Sequence, residues 1–345
     1  MTYNKVESAI DKITKNYINN RQNVALTIGV FEQGHHYIKG FGKFSDTDDS
    51  VPAPGTIYEI GSITKVFTGI VLAELVNDKT VNLDAPIRLY LPQEVGNQLN
   101  PAVQSITLQQ LATHTSGLPR LPESFLAGIK DINNPYLDCT AQKMYAALAE
   151  ITLLSEPGQS YEYSNFGMGL LGHLLSLKTC QPYEQLVREI ICEPLGMTET
   201  AIHLTPQQQQ CFTPGHSADG TQTSNWDFDV MAPCGAFRST SQDLLKFLQA
   251  NISTANTEMA AILGRSQARY FDENETLSMG LAWHISTLPN GQVLYLHNGG
   301  TGGYTSFIGF DKTKQTGLAI LSNYGDAMNN DFSVDEMGIA ILMEL

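Results

Sequence analysis

The stretch Leu281–Ser322, LAWHISTLPNGQVLYLHNGGTGGYTSFIGFDKTKQTGLAILS, carries the reading on which the fold depends. Asn290-Gly291 is a strong hairpin signal, because both residues tolerate the positive φ that a two-residue turn requires. It predicts strands over Leu281–Ser286 and Val293–His297, continued by Tyr304–Asp311 and Gly317–Ser322 in a meander. The other end of the chain has a matching pair of β-rich runs, Val24–Phe31 and His35–Gly42, around Gln33-Gly34. After an acidic, Pro-rich loop (Ser45 to Gly55) come a short strand, Ile57–Gly61, and a helix over Ser62–Asn77. From about Asn82 to Leu263 the signals are mostly helical: Ala141–Glu150, Phe166–Leu177, Tyr183–Cys192 and Leu244–Asn251. The last is opened by Thr240 and Asp243 at capping-box spacing. Gln207–Gln210, between Pro206 and Pro214, reads as an exposed connection. Ser333 and Glu336 cap a C-terminal helix running through Met343. Strands at both ends with helices between predict an α+β fold. One antiparallel sheet flanked by helices takes residues 1–81 and 265–345, and a mainly helical domain is inserted at 82–264.

Two lobes also suit the size. The chain has 345 residues, and a single core stops growing at roughly 250–300. Charged residues make up 16%, below the roughly 25% of an average soluble domain, which argues against disorder. The net charge of −15 repels phosphate backbones and anionic lipid, so nucleic acid and membrane surfaces are excluded as partners. No apolar run reaches a membrane span; the richest, Val66–Val76, is broken by Thr68, Gly69 and Glu74. Val6, Ile10, Ile13 and Tyr17 fall at helical spacing, so the N-terminus reads as an amphipathic helix and not as a secretion signal. Cys139, Cys180, Cys192, Cys211 and Cys234 have no metal-binding spacing and read as buried free thiols of a reducing compartment. The expected location is therefore cytoplasmic; removal of a leader would make it periplasmic or secreted.

Three short motifs bear on chemistry. Ser62 and Lys65 stand three apart at a helix start, which puts both on nearly one face. There the serine gains free backbone N–H groups and the positive end of the dipole. A serine nucleophile needs a nearby base and donors for its oxyanion, and this arrangement supplies both. Tyr163-Ser164-Asn165 precedes the helix from Phe166. A phenol beside an ammonium loses its proton more easily, which would let Tyr163 take the Ser62 proton and pass it to a leaving group. Asn165 offers donor and acceptor to Lys65 or to a substrate amide. A second match, Tyr17-Ile18-Asn19, sits in the amphipathic helix, where Tyr17 reads as a core contact. The third motif, His297-Asn298-Gly299-Gly300-Thr301-Gly302-Gly303, ends a strand with glycines that permit close approach of a ligand. Here the N–H of Gly300 would pair with that of Ser62 as an oxyanion hole, and His297 would face the same cleft. Each motif alone also has a bland reading, as an ordinary helix start, a helix cap or a Gly-rich corner.

Together, in this order, they resemble the serine β-lactamase and penicillin-binding-protein superfamily, with its Ser-x-x-Lys, Tyr-x-Asn and Lys/His-x-Gly motifs. The nearest branch resembles class C β-lactamases, family VIII carboxylesterases and D-aminopeptidases. Leu111–Leu118, Pro157-Gly158, Glu193–Met197 and Gly235–Thr240 extend the resemblance from about Val24 to Asn323. It implies a β-lactamase/transpeptidase-like fold with the active site between the two domains. It also implies a Ser62 acyl-enzyme, Lys65 and Tyr163 sharing base and acid duty, and Asn165 positioning. His297 would touch the substrate or the Tyr163 hydroxyl, and Ser62, Gly299 and Gly300 would form the oxyanion and substrate edge.

His297 departs from the lysine of class C enzymes. A mostly neutral imidazole holds a carboxylate less firmly than an ammonium, so the expected function is a broad serine hydrolase of ester, amide or β-lactam bonds. The expected partner is a small-molecule or peptide substrate containing such a bond. The rivals are an acyltransferase using the same acyl-enzyme and a penicillin-binding or scaffold protein with little turnover. Gly215-His216-Ser217-Ala218-Asp219 lacks the second glycine of a nucleophile elbow. His114 reads as a packing or turn residue, and Trp226 and Tyr304 as cleft or core. Neither a cofactor nor a metal is expected.

Overall fold

The computed structural model describes residues 3–19, 21, 24–253, 255, 257–325 and 333–345. Its centre is an eight-stranded sheet. In spatial order the strands are His35–Gly42, Ala25–Glu32, Thr316–Ser322, Thr305–Asp311, Val293–Gly300, His284–Thr287, Leu277–Met279 and Phe271–Asp272. Every pairing in it is antiparallel, and the N-terminal hairpin joins the C-terminal meander through Ala25–Glu32 beside Thr316–Ser322, with Ile28 opposite Ile320.

Alternation along these strands gives the sheet two apolar faces. Leu26, Ile28, Val30, Leu318 and Ile320 pack with Ile10 and Tyr17 of the helix Tyr3–Asn19 and with Met337, Ile341 and Leu342 of the helix Val334–Glu344. The opposite face, with Ile308, Phe310 and Ala319, meets the helix Ser241–Ile252, the helix Thr64–Asn77 and the helical part of the chain. Thr64–Asn77 is buried on nearly every side, from Thr64 through Ala73 and at Leu75. Its sequence is accordingly apolar without an amphipathic stripe.

Caps fall where side-chain chemistry places them. Ser333 accepts from the Glu336 N–H while Glu336 accepts from the Ser333 N–H, and Thr240 accepts from the Asp243 N–H. Three expectations are corrected. The strand expected from Leu281 begins at His284, because the chain first turns through Ala282, at φ 64°, and buries Trp283. Gln207–Gln210 belongs largely to a short helix, Pro206–Gln209, held by a Thr205/Gln208 capping box. The helix expected over Tyr183–Cys192 is α-helical only to Val187 and widens into a π turn over Arg188–Cys192. On the N-terminal helix Ile10 and Tyr17 are buried, as its periodicity requires; the Val6 side chain lies outside the described residues.

Candidate active site

Ser62 sits in the 3₁₀ turn Gly61–Ile63, which runs directly into the helix Thr64–Asn77. Gly61 enters this turn at φ 48°, and a Cβ there would stand 2.7 Å from the Gly300 nitrogen. A Cβ on Gly299 would stand 2.1 Å from the Ile60 carbonyl oxygen. Both glycines are therefore conditions of the approach between the Ser62 turn and the strand Val293–Gly300. Ser306 Oγ fastens that approach by donating to the Ile60 carbonyl at 2.9 Å.

Lys65 is fully buried. Its Nζ donates to Ser62 Oγ at 2.8 Å and to the Cys234 carbonyl at 2.6 Å, which meets the need of a buried amine for polar partners. The same Nζ lies 4.9 Å from the centre of the Tyr163 ring. Hydroxyl, amine and phenol thus converge from positions far apart in sequence, and Ser62 and Tyr163 line one pocket.

Tyr163 is held through its neighbours. Ser164 caps the helix Asn165–Thr179 by accepting from the Gly167 N–H at 2.8 Å and donates to the Pro119 carbonyl at 2.7 Å. The Ser164 N–H donates to His114 Nδ1 at 3.1 Å. His114 is buried and packs against the Tyr163 ring at 4.5 Å between centres, so its role is the packing one read from sequence. Asn165 departs from expectation. Its Nδ2 donates to the Tyr136 hydroxyl at 2.8 Å. Its Oδ1 is buried and has no partner among the described residues.

His297 departs further. It was expected to face the cleft and to touch substrate or the Tyr163 hydroxyl, but its ring is fully buried. The ring packs 5.0 Å from His284 and 6.4 Å from Tyr163 between centres. Its Nδ1 is paired with the Asn298 carbonyl at 2.7 Å, which requires the proton on Nδ1 and leaves the buried Nε2 as an acceptor with no partner. The physical reason is that His284 covers it: His284 lies on the pocket wall and bonds the Tyr161 hydroxyl through Nε2 at 3.0 Å. Burial is the main cause pushing His114, His284 and His297 down, with charge from Lys65 adding to each; His284 falls to about 4. All three rings around Tyr163 are therefore neutral at pH 7.

The pocket itself has a volume of about 480 Å³. One wall carries Tyr161, Tyr163 and His284, and Arg120 lies 5.2 Å from the Tyr163 ring centre. The other wall is the strand end Asn298–Gly300. The neighbouring strand His284–Thr287 pairs only with Val293–Leu296, so His297–Gly300 present a free backbone edge on that side. Trp226 closes one end: Glu59 Oε1 accepts from its N–H at 3.0 Å while Arg238 donates to its carbonyl at 3.1 Å. Tyr304, by contrast, is fully buried, its hydroxyl donating to the Thr213 carbonyl. Sequence reasoning missed Tyr161, His284, Arg120 and Asp335 as wall residues; they arrive from separate loops and helices, and no local pattern marks them. No cluster of three metal-ligating side chains occurs among the described residues.

This geometry has known counterparts. Solved structures similar to the chain include a class C beta-lactamase, at 20% identity and TM-score 0.86 over 100% of this chain and 99% of the other. A beta-lactamase/D-alanine carboxypeptidase from Pseudomonas syringae matches at 18% identity and TM-score 0.83 over 98% of each chain. At these identities the likeness establishes the fold, α+β with an antiparallel sheet. Among sequence relatives, Protein flp of Staphylococcus aureus (strain N315) is 26% identical over 327 residues, or 93% of this chain and 64% of the relative. The chain therefore spans a little under two thirds of that protein's length. A beta-lactamase of Providencia stuartii is 25% identical over 287 residues, covering 81% of this chain and 70% of its own. The Beta-lactamase family model matches residues 10–337, nearly the whole chain and all three motifs. The chain belongs to the beta-lactamase family.

Proposed function

We propose that the protein is a serine hydrolase that cleaves ester, amide or β-lactam bonds through an acyl-enzyme on Ser62. The observation that carries this reading is the 2.8 Å contact between Lys65 Nζ and Ser62 Oγ, opening on a pocket shared with Tyr163. Ser62 Oγ attacks the substrate carbonyl carbon and gives its proton to the Lys65 amine or the Tyr163 oxygen. The resulting oxyanion is held by the N–H groups of Ser62 and Gly300, beside Gly299. Collapse breaks the bond to the leaving group, which takes up the proton from the Lys65–Tyr163 pair. A water then repeats the sequence on the acyl-enzyme, and Ser62 regains its proton.

Asn165 acts by holding Tyr136 and the helix that follows Tyr163. His297 acts from behind, where its Nε2 is an open acceptor for a donor in the Tyr163 wall. The family membership and the names of the relatives support β-lactam and D-alanyl peptide bonds as substrates. The neutral, covered histidine favours esters and amides over carboxylate-bearing β-lactams. Five free cysteines support a reducing, cytoplasmic location; among the described residues no helix is long and apolar enough to cross a membrane. We place the pocket at the junction of the sheet-bearing part, 1–81 with 265–345, and the inserted part, 82–264.

Replacement of Ser62 by Ala tests the reading. Hydrolysis of p-nitrophenyl acetate and of a chromogenic cephalosporin is expected to fall by at least ~10³-fold with the circular dichroism spectrum unchanged. Turnover equal to that of the parent protein overturns it.

A further inference from the structure

Of the charged side chains on the pocket wall, Arg21, Arg120 and Asp335, the nucleophile's chemistry uses none. Asp335 stands in the first turn of the helix Val334–Glu344. Its Oδ2 accepts from Asn298 Nδ2 at 2.6 Å, which ties the carboxylate to the free-edged strand. Asn298 and Gly300 project to the same side of that strand and lie about 7 Å apart along it. A substrate carbonyl held at the Gly300 N–H therefore places its neighbouring atoms within reach of Asp335.

Nothing on the protein neutralises this carboxylate: among the described residues Asp335 makes no ion pair, and the nearest charge acting on it is Glu336, of like sign. Burial and Glu336 both push it upward, with the Asn298 bond opposing. Arg21 lies 3.8 Å over the Tyr17 ring, and Arg120 belongs to the Tyr163 wall. A carboxylate carried by a substrate past Asn298 would meet like charge; an ammonium there would gain a charge-assisted hydrogen bond and complete the partner set of Asp335.

We propose that Asp335 reads a protonated amine on the substrate, so that the site prefers aminoacyl esters and amides with a free amine over N-acylated or carboxylate-bearing ones. The inference rests on the hydrolase reading and gives it a substrate class.

The test compares alanine p-nitroanilide, in both enantiomers, with its N-acetyl counterpart. In the parent protein kcat/KM is expected to favour the free amine at least 10-fold for one enantiomer. The preference should fade as pH rises through about 8, where the substrate's own amine loses its proton. Asp335→Asn should reduce the preference at least 10-fold, and Asp335→Glu should retain most of it. A parent protein that prefers the N-acetyl substrate, or a preference unchanged across pH 6–10, overturns the inference without any variant having to fold. An equal fall on both substrates in Asp335→Asn also overturns it, since a purely structural carboxylate would act that way. Failure of the underlying reading shows separately, as p-nitrophenyl acetate hydrolysis that survives Ser62→Ala.

Discussion

The two sides of the pocket are built on different principles. The Ser62 side is local: five consecutive residues, Gly61 to Lys65, place nucleophile and amine on one helical turn, and one hydrogen bond joins them. The Tyr163 side is assembled from afar: His114, His284 and His297 surround the phenol ring from three separate segments, and Ser164 fixes the backbone. Local geometry is stiff and tolerates no change in its atoms, whereas the imidazole cage depends on remaining uncharged. Damage to the first side should therefore appear as lost rate, and damage to the second as altered stability in acid.

Lys65→Ala presses hardest on this contrast. It removes the partner of Ser62 Oγ and leaves the Cys234 carbonyl without its donor, so kcat/KM for p-nitrophenyl acetate should fall by about 10³-fold or more. A loss under tenfold would show that the amine is not part of the chemistry. Gly61→Ala is expected to cost less, about 10²-fold in kcat, because the new methyl group must push the Ser62 turn away from Gly300 and displacements near 1 Å cost about that much. If kcat is kept and only the Tm falls, the approach of turn to strand is structural and not catalytic.

The smallest effect concerns the cage and acid. His284 has a folded pKa of about 4 against an unfolded value near 6.5. Between these values the unfolded chain binds a proton that the native state refuses, so stability rises with pH across that window and is lost as pH falls through it. His114 and His297 are shifted in the same direction. The Tm should thus drop by several degrees between about pH 6.5 and pH 4, and His284→Phe should flatten part of that slope. A parallel slope in the variant would remove His284 as a contributor.

The same division decides what was legible in the sequence. Ser62 and Lys65 could be paired from spacing alone, because three residues of helix fix their relation. The hairpin at Asn290-Gly291 and the caps at Ser333 and Thr240 were readable for the same reason: each rests on contacts a few residues long. The strand start was misplaced by three residues because Ala282 takes a left-handed conformation that nothing in its type signals. His297 was placed on the right strand, but not beneath His284, since strand alternation gives a face and not what covers it. Arg120, Tyr161 and Asp335 carry no local mark. Asp335 in particular looks like an ordinary acidic residue near a helix start until its bond to Asn298, 37 residues away, is seen.

The union of first and last strands in one sheet has a consequence for how the protein comes into being. Ser62 leaves the ribosome early, but Gly300, its partner across the pocket, follows about 240 residues later, roughly 10–50 s at ordinary elongation speeds. Until then Ala25–Glu32 also lacks its neighbour Thr316–Ser322 and remains an open edge. Nascent chains thus carry a nucleophile with no pocket around it, and only a nearly finished polypeptide can acquire the power to react.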